Sequence, residues 1–195
     1  MPADSAPTNL TNHFLIAMPG LSDELFGRSV VFLCEHSERG ALGLVINKPS
    51  DLMLSQLFDK VDLSLARADL ARQPVFHGGP VQTERGFVLH EALPGEGEKL
   101  YASTMSIPGG LEMTTSKDVL EAMAQGGGPR QVFVTLGYAS WGGGQLESEI
   151  GENSWLTVEA DHRLIFEAPV AERYDRAMAL LGLQSWMLSP DVGHA

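Results

Sequence analysis

Short apolar runs, broken by glycine and proline, set the rhythm of this chain. Residues 13–18 (HFLIAM) and 29–34 (SVVFLC) are rich in branched and aromatic side chains and predict strands, separated by the turn-prone PGLSDELFG at 19–27. Residues 41–47 (ALGLVIN) predict a third strand, stopped by Lys48 and Pro49 because proline cannot donate to a continuing ladder. Residues 52–58 (LMLSQLF) have helical spacing, and 66–73 extend or follow that helix. Strand patterns return at 75–77, which runs into Gly78, Gly79 and Pro80, and at 86–91 and 100–107.

The second half repeats the alternation. Thr115 is placed to cap a helix, with Asp118 in its first turn, an apolar stripe of Val119, Leu120 and Met123, and GGGP at 126–129 as its end. Residues 131–136 (QVFVTL) predict a buried strand, followed by a glycine-rich stretch and a short helix over 143–150. Residues 155–158 and 164–166 predict a hairpin. A last amphipathic helix spans 170–181, with Tyr174, Ala177, Met178 and Leu181 on one face; after Gly182 the periodicity is lost. Strands dominate, helices fall between them irregularly and no internal repeat occurs, so the pattern predicts an α+β fold rather than a doubly wound one.

Composition narrows the picture. With 195 residues, 44% of them hydrophobic, the chain predicts a single domain over 1–195 with a flexible N-terminus at 1–9 and a flexible tail at 184–195. No run approaches the roughly 18 apolar residues of a membrane span, and no basic-then-apolar leader opens the chain, so a cytoplasmic protein without a membrane partner is expected. One cysteine, Cys34, forms no internal disulfide. Lys and Arg number 13 against 25 Asp and Glu; the net charge of −12 disfavours direct binding to nucleic acid or an anionic membrane.

The usual chemical signatures are missing. His90-Glu91 begins like a zincin motif, but no second histidine follows at the required spacing, so no metal and no cofactor is expected. On a strand Cys34 and His36 share a face with Val30 and Phe32, which predicts a packed thiol over a reactive one. No G-x-S-x-G elbow surrounds Ser140, and no Walker lysine accompanies GGGQLES. The stretch LGYASWGGGQLESEI at 136–150 has two readings, a binding turn whose glycines free backbone N–H groups before a helix, or the tight corner of a compact fold.

NHFLIAMPGL at 12–21, GALGLVINKP at 40–49, HGGPV at 77–81 and LGYASWGGGQLESEIGENSWL at 136–156 together resemble the bacterial YqgE/AlgH family, over nearly the whole chain. The resemblance implies a mixed, partly barrel-like β-sheet flanked by helices. Members are often labelled transcriptional regulators, from a link to alginate regulation. No helix-turn-helix is visible here and the charge is −12, so any transcriptional effect is expected to be indirect.

The matched stretches lie at predicted strand ends, which in a twisted sheet converge at one rim. The candidate binding rim is Asn47, Lys48 and Pro49; His77, Gly78, Gly79 and Pro80; and Gly137, Ser140, Trp141, Gly142, Gly144 and Gln145. Asn47, Lys48, His77 and Gln145 are expected in one cleft. The leading reading is a regulatory or binding module for a protein or small-molecule ligand. The alternatives are an enzyme using His77 or Cys34 with Lys48, and a direct DNA binder.

Overall fold

The computed structural model describes residues 9–20, 26–92 and 101–183. The tail at 184–195, the first eight residues and Leu100, which opens one predicted strand, lie outside these. Ten strands are described: β1 (His13–Ala17), β2 (Val30–Ser37), β3 (Gly40–Val45), β4 (Pro49–Met53), β5 (Pro74–His77), β6 (Val81–Glu91), β7 (Thr104–Ile107), β8 (Leu111–Thr114), β9 (Val132–Gly142) and β10 (Trp155–Glu159). The helices are α1 (Leu54–Lys60), α2 (Asp118–Ala124), α3 (Gln145–Gly151), α4 (Arg163–Phe166) and α5 (Arg173–Leu180).

The strands form one curled sheet in the order β10-β1-β2-β3-β9-β6-β8-β7, with β4 and β5 attached beside β9. Pairing is antiparallel except between β5 and β9, so the fold is α+β with a mixed, partly barrel-like sheet. Both faces are covered, which is why several strands read as unbroken apolar runs. Phe14, Phe32, Leu44, Leu89 and Phe133 line the inner face, which is plugged by Leu164 and Ile165 of α4 and Tyr174, Ala177 and Met178 of α5. Leu15, Val31 and Val45 point outward beneath Leu146 of α3. Val75, Val88, Val132 and Val134 point outward beneath Leu54 and Phe58 of α1 and Val119 and Met123 of α2. Each fully buried Phe or Leu contributes about 1.5–3 kcal/mol.

β9 joins the two halves. Its first part pairs with β6 and β5, and its last four residues pair with β3. Val132 and Val134 face outward, yet so do Ala139 and Trp141. The alternation flips at Gly137, whose φ of +81° is outside the strand range of any L side chain.

Four local expectations are corrected. Pro49 opens β4 instead of ending a strand, since a proline at a strand start forfeits no ladder bond the sheet requires. Residues 66–73 form no helix. Lys117, not Thr115, occupies the cap position of α2; the Ser116 hydroxyl donates to Asp118 at 2.5 Å instead. Residues 163–166 form α4 rather than the second arm of a hairpin, because β10 pairs with β1 and the inner face takes Leu164 and Ile165 from a helical turn. β8, at 111–114, was not expected from the pattern.

Candidate functional site

Three of the matched stretches are tied together by their backbones. Asn47, just past β3, accepts the Val30 N–H on Oδ1 at 2.9 Å and donates from Nδ2 to the Arg28 carbonyl at 2.9 Å. The Lys48 ammonium donates to the Gly27 carbonyl at 3.2 Å. The His77 N–H donates to the Lys48 carbonyl at 2.8 Å, Gly78 N–H to the Leu136 carbonyl at 3.0 Å, and Val45 N–H to the Gly78 carbonyl at 2.9 Å. Side chains are excluded from the crossing itself. A Cβ on Gly78 would strike the Gly137 carbonyl, one on Gly79 the Tyr138 backbone, and one on Gly137 would lie 2.5 Å from the Gly79 carbonyl oxygen. The side chains of Pro49, His77 and Pro80 emerge around this crossing, exposed.

Beneath it lies Arg173, which sequence reasoning missed. Only 6% exposed, it donates from Nε to the Ala168 carbonyl at 3.1 Å and from Nη1 to the Ile46 carbonyl at 2.6 Å. Its guanidinium sits 5.2 Å from the Phe76 ring centroid and 5.9 Å from that of Phe133. Burial lowers its pKa to about 10, which leaves it charged at neutral pH. The available signal was an arginine next to Tyr174 on the apolar stripe of the last helix. Arg28 adds a second guanidinium, 4.4 Å above the Tyr174 ring.

The other candidates lie elsewhere. Gly40 pairs with Gly142 at the start of β3, whereas Asn47 follows its end, so the length of β3, roughly 17 Å, separates Gln145 from Asn47. At that far end Gln145 accepts the Gly142 N–H at 3.0 Å and donates to Glu149 at 3.0 Å. Glu149 Oε1 accepts both indole N–H groups, from Trp141 at 3.1 Å and Trp155 at 2.9 Å. The two indoles meet edge to face at 6.1 Å and pack with Phe26. Gly144 turns into α3 with φ +79°, and Ser140 is exposed on β9 beside Leu42. Of the two readings of 136–150, this geometry is that of a corner: β9 ends, turns and lays α3 over two tryptophans.

Cys34 and His36 do not share a face. The ladder between β2 and β3 shifts between Leu33 and Glu35, leaving Cys34 in a bulge. Cys34 then joins Phe32 and Val30 on the inner face at 2% exposure, and burial raises its thiol pKa far above the ordinary range. His36 faces α3: Nδ1 accepts the Leu10 N–H at 2.9 Å, so Nε2 carries the proton toward Glu147, 3.3 Å away. His90, on β6, is fully buried, with Nε2 2.8 Å from the Thr114 hydroxyl. Among the described residues no three His, Cys, Asp or Glu side chains are grouped to hold a metal, and no helix is long and apolar enough to cross a membrane.

An open cleft of about 260 Å³ lies on the outer face between α1 and α2. Leu57, Val61, Val88, Leu120, Val134 and Leu136 give it apolar walls, and Glu84, Thr115 and Lys117 stand among its polar lining.

The sequence and fold have clear relatives. Residues 14–186 match the model of a family described as AlgH-like. A UPF0301 protein of Acidovorax sp. strain JS42 is 74% identical over 199 residues, and one of Paracidovorax citrulli is 72% identical over 213; all of this chain and all of each relative are covered. The solution structure of the AlgH protein from Pseudomonas aeruginosa superposes with a TM-score of 0.76 at 46% identity, with both chains fully covered. A crystal structure from Corynebacterium diphtheriae shares the fold at a TM-score of 0.67 and 21% identity, over 91% of this chain and 88% of that one.

Proposed function

The chain belongs to the AlgH-like family, and from that premise we propose that it is a regulatory or binding module, recognising a protein or small-molecule ligand through the rim at 47–49, 77–80 and Gly137. One observation carries this reading: the exposed imidazole of His77 projects from backbone that has no room to shift. Its own N–H is bonded to Lys48, and the next residue is wedged against Gly137. A side chain held on rigid backbone presents one geometry to a partner, and that lowers the entropy lost on binding. Any transcriptional effect is indirect, since a net charge of −12 opposes association with phosphate backbones.

The test is a thermal-shift screen of nucleotides, anionic metabolites and divalent metals on the wild type and on His77→Ala. A ligand binding only the folded state at a hundredfold excess over Kd stabilises by about 2.7 kcal/mol. A compound that stabilises the wild type and loses its effect on the variant supports the rim. Compounds that stabilise both proteins equally contradict it, and a screen with no shift leaves the protein-partner arm, read by the loss of a purified partner on His77→Ala.

A further inference from the structure

We propose that the cleft between α1 and α2 is a second binding site, independent of the rim, for an apolar zwitterion of amino-acid size, with leucine and its branched relatives as the ligand class. The floor sets the first requirement. Val88, Val134 and Leu136 come from the outer face of the sheet, and Leu57 and Leu120 from the two helices, so the ligand's body is aliphatic. At about 260 Å³ the cleft falls just below the roughly 300–1,000 Å³ of sites that take drug-sized ligands, which suits a smaller molecule.

The lining charges set the second requirement. Lys117, preceding α2, and Glu84, on β6, are both exposed and both line the cleft. Neither makes an ion pair among the described residues. Opposite charges that leave one another unpaired beside an apolar floor match a ligand carrying a carboxylate for Lys117 and an ammonium for Glu84. A simple fatty carboxylate satisfies the lysine and meets repulsion at Glu84; a simple amine does the reverse. The Ser116 hydroxyl is already committed, accepting from Ser103 N–H and donating to Asp118. The Thr115 hydroxyl makes no hydrogen bond among the described residues and adds a neutral donor to the lining. A ligand of zero net charge also escapes the general repulsion that a protein of net charge −12 exerts on anions.

Calorimetric titration with L-leucine, with octanoate and 3-methylbutylamine as half-ligands, tests this on the full chain. Leucine should bind, and Lys117→Gln or Glu84→Gln should each weaken it at least tenfold while leaving the melting temperature of the unliganded protein unchanged, since both side chains are exposed. Each half-ligand should bind at least tenfold more weakly than leucine, and His77→Ala should not alter leucine binding. The proposal is overturned if leucine does not bind, if octanoate binds as tightly as leucine, or if the two cleft variants bind leucine like the wild type. Loss of leucine binding on His77→Ala alone would also overturn it and move the site to the rim.

Discussion

Cys34 shows what a single residue's surroundings do to its chemistry. Its thiol is buried on the inner face, and both desolvation and the neighbouring carboxylate of Glu35 disfavour the thiolate. Native protein should therefore react with a thiol reagent only on the timescale of unfolding, with full reactivity after denaturation; rapid labelling of the native thiol would show that the bulge opens. Burial of Cys34 could be read from Val30 and Phe32 at alternate positions, but the bulge could not, so the expectation that Cys34 and His36 share a face failed. Asn47 is a similar case. Its place at a strand end was legible, whereas its partners, the Val30 N–H and the Arg28 carbonyl, lie 17 and 19 residues away. Glu149 went unnoticed as a hub because the two indoles it joins meet only once α3 folds back over the sheet.

At the scale of elements, the glycines of 136–150 perform different tasks. Gly137 has a positive φ and backbone against it; Gly144 has a positive φ and nothing within 4 Å of a built Cβ. Gly144→Ala should therefore cost only the left-handed backbone penalty of about 1–2 kcal/mol. Gly137→Ala should cost that plus an overpacking penalty of about 1–3 kcal/mol, because the Gly79 carbonyl cannot retreat without breaking the crossing of β5 and β9. Urea denaturation of both variants checks the order; equal losses would mean that the crossing yields easily. Apolar strands such as β1, β2 and the first half of β9 were legible because both their faces are buried. The arm misread at 163–166 was not, since a short apolar run looks the same in a buried helical turn as in a strand, and the inner face decided which it became.

For the whole molecule, the curl of the sheet divides the matched motifs between two places. The resemblance of four motifs conveyed the family and the fold class, and the convergence of 47–49 with 77–80 and Gly137 follows from strand ends meeting where β9 changes partners. The separation of Gln145 from that group was hidden, because it depends on β9 continuing through the glycine-rich stretch to Gly142 instead of ending near Leu136. The cleft between α1 and α2 had no sequence signature at all: its walls come from elements up to 79 residues apart, from Leu57 to Leu136, and its apolar residues read individually as core.

The proposed rim is preformed, a backbone crossing fixed before any partner arrives. Amide hydrogen exchange on the free protein tests it most directly, at Val45, His77 and Gly78, whose N–H groups bond across the crossing. Protection comparable to that of Phe133 and Val134 in the core of β9 is expected. Exchange at those three amides as fast as in an exposed loop would contradict it.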